Sequence, residues 1–315
     1  MFGWRFAYFA GWWDSLEHIH VVDRSGSSLL MRSGNPATYR LFGWGGPTVS
    51  TPMLKAKLQD VAGTAYADVN LTDVSLLTVE AETIAAEERA FGPELVRWPL
   101  VGVEESTFLE ACFRANASKA QHGGCDVNAQ PEALSDEVRK AMAESFTHWD
   151  VDNLTSKVEA LRAMLLSYGH AQTPGIVLFH CNCGCDRTGM LAAAYSMRYL
   201  AKTFTEAMGE AEQIAGRQLV YRFQVGAQWY CESLLARGLY YGYDCGNCAP
   251  FRCADSGDPM DPRLVWDLRC ATIFVAALLF VAALRLRRWC SRRRKRLAAL
   301  NSYSYKELPS SASLA

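Results

Sequence analysis

The stretch Ile176-Val177-Leu178-Phe179-His180-Cys181-Asn182-Cys183-Gly184-Cys185-Asp186-Arg187-Thr188-Gly189-Met190 decides the fold. Four apolar residues run into His180-Cys181; further on come Arg187-Thr188-Gly189 and an Ala- and Met-rich segment. A short apolar run reads as a buried strand and the later segment as a helix, so a tight loop joins them. Backbone N–H groups of such a loop, at the positive end of a helix dipole, bind a tetrahedral dianion and stabilise a thiolate. The expected phosphate cradle is Asn182, Cys183, Gly184, Cys185, Asp186 and Arg187, with Cys181 as a nucleophile of lowered pKa. Arg187 offers a planar fork for two phosphate oxygens. Thr188 can hydrogen-bond the sulfur when it leaves again.

His-Cys-x5-Arg-Thr-Gly resembles the signature loop of the cysteine-dependent protein tyrosine and dual-specificity phosphatases. Its Cys-x-x-Gly-x-Asp-Arg-Thr-Gly form is similar to the bacterial and fungal tyrosine-phosphatase-like branch and, more distantly, to myotubularins. Leu30–Pro36, with Arg32-Ser33-Gly34, resembles the opening of such domains. The resemblance implies attack on phosphorus by Cys181, with Arg187 and the loop amides holding the transition-state charge. It also implies an Asp upstream as general acid, because an alkoxide or phenolate leaves poorly at neutral pH. Asp150, 31 residues before Cys181 and directly after Trp149, is the first choice, and Asp152 the second; Asp152 or Asn153 then caps the next helix. His180 is expected to orient the loop and tune the thiolate, and Asp186 to fix Arg187 or act as a second acid-base group. Gln224 and Gln228 are candidates to position water.

Cys183 and Cys185 depart from many relatives, which carry Ala and Lys there. Without a loop lysine, a phosphoinositide substrate loses support, and a phosphorylated protein is the expected partner. A phosphoinositide or inositol phosphatase, and a catalytically silent module that binds phosphorylated ligands, are the alternatives. The two extra thiols can also form a reversible disulfide with Cys181 or guard it from over-oxidation. No cofactor is expected, and no His/Asp cluster with metal-ligand spacing is visible.

The 315 residues are 50% hydrophobic and 21% charged with a net charge of −1, an ordinary globular composition that hides an asymmetry. Arg285–Arg296 holds eight basic residues and no acidic one. The cluster follows Cys270–Leu284, uncharged and mostly apolar, so it reads as a membrane flank rather than a nucleic-acid patch. Extended to residues 264–286, this segment reads as one transmembrane helix, with Arg269 and Arg285 snorkelling outward. The positive-inside rule puts the tail in the cytosol and the preceding domain in the lumen or outside the cell. Sequons at Asn70, Asn116 and Asn153, and a disulfide knot among Cys245, Cys248 and Cys253, point the same way. Met1–Trp13 makes a poor signal peptide, broken by Arg5, so the expectation is a true start upstream, and the alternative a tail-anchored protein with a cytosolic domain.

The expected architecture is α/β, a tyrosine-phosphatase-like central sheet flanked by helices. An aromatic segment (1–17) leads into the phosphatase domain (18–243). A Cys-rich stalk (244–263), the span (264–286) and a basic, disordered tail (287–315) follow. A hairpin is expected over His18–Asp23 and Ser28–Arg32, and strands at Ala65–Val69 and Leu95–Trp98. Helices are expected over Met53–Val61, Val79–Ala90, Leu134–Phe146, Asn153–Tyr168, Gly189–Tyr199, Phe204–Ala215 and Val225–Leu235. Within the tail, Tyr305–Leu308 resembles a tyrosine-based sorting signal, and Cys290 is a candidate for palmitoylation.

Overall fold

Apolar residues alternate between two faces of a sheet whose middle strand is Gly175–His180. Leu30, Val177 and Phe179 enter one core, while Leu29, Met31, Ile176 and Leu178 enter another. That period of two is what a strand covered on both sides requires. The structure, a computed structural model, describes residues 12–14, 16, 18–40, 46–63, 69–116, 125, 130–169, 174–242 and 245. The chain divides into units of residues 1–256 and 257–315, the second wholly outside the described residues.

The strands are β1 (Trp12–Asp14), β2 (His20–Ser25), β3 (Ser28–Ser33), β4 (Thr38–Arg40), β5 (Asn70–Ser75), β6 (Leu95–Arg97) and β7 (Gly175–His180). β1 and β4 form an antiparallel pair, so part of the aromatic segment 1–17 joins the domain's chain by strand pairing. The main sheet has the order β2-β3-β7-β5-β6, with β2 antiparallel to β3 and the rest parallel. The helices are α1 (Thr51–Ala62), α2 (Ala81–Phe91), α3 (Glu105–Asn116), α4 (Asp136–Glu144), the single turn α5 (Phe146–Trp149), α6 (Leu154–Gly169), α7 (Asp186–Tyr199), α8 (Phe204–Ala215) and α9 (Tyr221–Ala236). The larger core collects α3, α4, α6, α7, α8 and α9; α1 and Phe91 of α2 cover the other face. Ser33, Ser75 and His180 pair across β3, β5 and β7, so the carboxyl ends of three parallel strands finish level. Ligand sites of open parallel sheets lie beyond those ends.

The expected α/β sheet flanked by helices is present. Its details correct several readings. The strand expected at Ala65–Val69 begins at Asn70; residues 64–68 lie outside the described set. Polar residues disguised it, because Asp73 and Ser75 point into the interior and Thr72 bonds the Tyr168 hydroxyl at 2.6 Å. α3 was not anticipated, since Phe108 and Cys112 form only a narrow apolar stripe. The helix read over Leu134–Phe146 breaks at Ser145, whose hydroxyl donates back to the Ala141 and Met142 carbonyls. Asn153 does not cap α6: it has φ 48°, and Asp150 accepts from Leu154 N–H at 2.6 Å instead.

Cys245 pairs with Cys231, on α9, rather than within the proposed knot, and a second bridge joins Cys112 to Cys125. Among the sequons, Asn116 is buried with its amide 3.2 Å from Cys125 Sγ, so it is a poor acceptor, while Asn70 and Asn153 are exposed. Among the described residues no helix is long and apolar enough to cross a membrane. The proposed span 264–286, Cys248, Cys253, Cys290 and Tyr305–Leu308 lie outside them.

Candidate active site

β7 delivers His180 and Cys181 to the end of the sheet, and the chain reverses through residues 182–185 into α7. Gly184 makes the reversal possible, with φ 72°. A Cβ there would stand 2.6 Å from Gly34 N and Ser33 C, so the loop lies directly on the chain leaving β3. Asn35 N–H donates to the exposed Asn182's carbonyl at 3.0 Å, and Arg32 Nη2 donates to the Gly184 carbonyl at 2.8 Å. Arg32-Ser33-Gly34-Asn35 therefore holds the loop from below.

Cys181, Cys183 and Cys185 are all reduced, and only Cys183 is partly exposed. The Cys183 thiol, then burial, push the Cys181 thiol well up; the hydroxyl and backbone N–H of the buried Thr188 favour its ionised form. Cys183 Sγ accepts from Cys185 N–H at 3.3 Å, and the Cys183 carbonyl accepts from His18 Nδ1 at 2.7 Å. Asp186 starts α7 and is gripped by Arg217: Arg217 Nη2 reaches Oδ2 at 2.6 Å and Nη1 reaches Oδ1 at 2.9 Å. Val220 N–H also donates to Asp186 Oδ1, at 2.8 Å, tying the loop to the start of α9. Asp186 therefore pairs with Arg217, not with Arg187 as one expectation had it.

Arg187 turns toward the β5–α2 connection. Its Nη2 donates to Thr78 Oγ1 at 3.1 Å and its Nη1 lies 3.5 Å from Glu80 Oε1. Burial opposes the charge of Glu80, but the N–H groups of Val79 and Glu80, Arg187, and Thr78 N–H together keep its carboxyl below the usual range. Among the described residues Arg187 Nε is buried without a partner, a donor ready for an anion. Thr78 and Glu80 were not foreseen, since nothing in the sequence links position 80 to position 187.

His180 stands over a buried acidic pair. Its Nε2 is 3.1 Å from Asp73 Oδ2 and 3.6 Å from Glu87 Oε1, all three side chains fully enclosed. Burial works against the imidazolium, but Asp73 and Glu87, with the Cys181 carbonyl, outweigh it and raise its pKa to about 9. Burial pushes the Glu87 carboxyl up, against the His180 charge, which favours its ionised form. One ligand atom from each residue lies within 4.8 Å of the others, but a doubly protonated imidazole has no lone pair to give a metal, so the group is an ion-pair cluster. The sequence hid this cluster, because its members come from β5, α2 and β7.

The candidate acids part company. Asp150 accepts from Asp152 N–H at 3.1 Å and from Leu154 N–H, which makes it the cap of α6. Burial first, then Asp152, raise its pKa to about 6 against these backbone donors. It lines a cavity with Thr107, Glu110, Arg114 and His148 that includes no residue of the loop. Asp152 is buried and accepts from Val101 and Gly102 N–H, each at 2.8 Å. Burial raises its pKa too, but Arg187 is among the charges that favour its ionised form. Gln224 donates to Glu212 at 3.2 Å and Gln228 to Glu132, so neither amide is directed at the loop by these bonds.

Residues 57–198 match the tyrosine phosphatase family. The match spans somewhat less than half the chain and includes the 181–187 loop, Thr78, Glu80 and both candidate acids. It supports a phosphatase function for a tyrosine-phosphatase-like domain, and with it a phosphorylated substrate. No curated protein matches the chain.

Proposed function

We propose that this protein hydrolyses phosphate monoesters of tyrosine, and of serine or threonine, in proteins through a cysteinyl-phosphate intermediate. The observation that carries the reading is the loop between β7 and α7. A cysteine at the strand end and the unpartnered buried Nε of Arg187 flank the start of a fourteen-residue helix. The Cys181 thiolate attacks phosphorus in line while Arg187 moves from Thr78 and Glu80 onto the equatorial oxygens. A carboxylic acid gives its proton to the leaving oxygen. Asp152 suits this role better than Asp150, because Arg187 acts on it and burial raises its pKa, while Asp150 caps α6 and lines a cavity that includes no residue of the loop. Water then releases phosphate and restores the thiolate.

We also infer a membrane-anchored enzyme with its domain in the lumen or outside the cell. The bridges Cys112–Cys125 and Cys231–Cys245 support an oxidising compartment, and the apolar segment 264–286 before a basic tail supports the anchor. One observation favours a silent phosphate-binding module instead: Cys183 and burial push the Cys181 thiol up. Phosphate release from phosphopeptides and phosphoinositides, with Cys181→Ser as control, separates these readings. Turnover of phosphopeptides that Cys181→Ser abolishes is the expected result. Binding of phosphorylated ligand without turnover sinks the enzyme reading, and preference for phosphoinositides redirects the substrate.

A further inference from the structure

Arg32 is one of the largest fully buried side chains, 1% exposed, near the carboxyl end of β3 beside β7. A guanidinium so enclosed normally meets a carboxylate, since an unpaired buried charge is strongly destabilising. Here its side-chain hydrogen bond among the described residues goes to the neutral Gly184 carbonyl, and its Nε has no partner among them. Glu210 of α8 faces the same cavity, but forms an ion pair with Lys202. His20 of β2 also faces Arg32, and carries no negative charge to offer. What remains close by is the loop with Cys181, Cys183 and Cys185. Burial pulls Arg32 down to about 10, and the thiols, Cys181 first, with Glu210, are the groups that favour its charge.

We propose that Arg32 is a positioning residue for the nucleophile: through Gly184 it fixes the 181–187 loop, and its buried positive charge is the counter-ion of the Cys181 thiolate. Two other cations stand beside Cys181, but the His180 imidazolium is engaged by Asp73 and Glu87, and Arg187 by Glu80, which leaves the Arg32 charge for the thiolate. Cys183 beside Cys181 works against ionisation, and Arg32 beneath the loop works for it. A neutral replacement leaves the thiol protonated at neutral pH without touching Arg187, which still binds phosphate. The inference deepens the phosphatase reading, yet it concerns ionisation of one sulfur and can be read without turnover.

The test is the pH dependence of Cys181 alkylation by iodoacetamide in the full-length protein, followed by mass spectrometry of the Cys181 peptide. Wild type, Arg32→Met and Arg32→Lys are compared, with Arg32→Gln used if the Met variant does not fold. The neutral variant is expected to raise the alkylation midpoint by about one to two pH units, a ~10- to 100-fold loss of thiolate at neutral pH. Its kcat falls in parallel with KM little changed, and the Lys variant keeps most of the wild-type midpoint. An unchanged midpoint in the folded neutral variant overturns the proposal, as does a Lys variant shifted as far as the neutral one. Absence of turnover in the wild type would instead sink the phosphatase reading, and the alkylation midpoints would still decide the role of Arg32.

Discussion

At the scale of single residues, the two aspartates of the turn before α6 do different work despite standing two positions apart. Asp150 satisfies the first free N–H of a helix, that of Leu154, as a capping carboxylate does, and also accepts from Asp152 N–H in the turn, while Asp152 bridges the turn to Val101 and Gly102. Asp150→Asn is expected to destabilise the fold by about 1 kcal/mol, the usual worth of a cap, while kcat stays within a few-fold. Asp152→Asn keeps an acceptor for one of the two N–H groups but loses the proton, so kcat falls roughly 100-fold or more on substrates with poor leaving groups. Activated aryl phosphates, which need no acid, are expected to be nearly spared. Parallel kcat measurements on both substrate types, with a melting curve for each variant, check the assignment; the reverse pattern would return the role to Asp150. The family resemblance put a candidate acid on this turn by its distance from Cys181, with Asp150 preferred. The sequence could not decide between the neighbours, because a helix cap and an acid carry the same side chain, and only the direction of the turn separates them.

At the scale of elements, β5, α2 and β7 meet in the buried group Asp73, Glu87 and His180. The order of strand, loop and helix around Cys181 was legible because apolar residues on both sides announce it. β5 was misread by several residues because its inward-facing Asp73 and Ser75 look like loop residues until His180 is known to lie beside them. The same burial makes a pH prediction. The folded pKa of His180, about 9, exceeds its ordinary value of 6.5. The folded state then holds the proton more tightly, so this stabilisation is complete below pH 6.5 and is lost as pH rises through 9. The shift corresponds to something on the order of 3 kcal/mol. Urea-unfolding midpoints of the wild type are expected to fall between pH 6.5 and 9, and those of His180→Gln to start lower and stay flatter over that window. Equal pH slopes in the two proteins would mean that His180 is not an imidazolium between the two acids.

At the scale of the whole molecule, the chain joins a proposed nucleophile that must stay reduced to bridges that need an oxidising environment. Cys112–Cys125 and Cys231–Cys245 lie away from the loop in sequence and staple α3 and α9, the helices of the larger core. The sequence foretold disulfides from the crowding near Cys245, yet pairing depends on which cysteines the fold brings together, and Cys231 is hidden inside an ordinary helix pattern. Each bridge closes a short loop, with sequence separations of 13 and 14 residues. Restricting the unfolded chain over such loops stabilises by about 3 kcal/mol apiece. Cys181, Cys183 and Cys185 are already reduced, so a reductant should act on stability rather than on the loop itself. Full-length protein melted without reductant is expected to unfold at a temperature on the order of 10 °C higher than with it. Mild reductant that leaves both bridges intact should preserve turnover, whereas strong reductant should lower it only as the fold loosens. An identical melting temperature under both conditions would show that the bridges do not stabilise the fold, and the luminal placement would then lose its main structural support. If the bridges do stabilise it, protease protection of the domain in sealed membranes becomes the matching observation, because a compartment that forms them lies on the side opposite the basic tail.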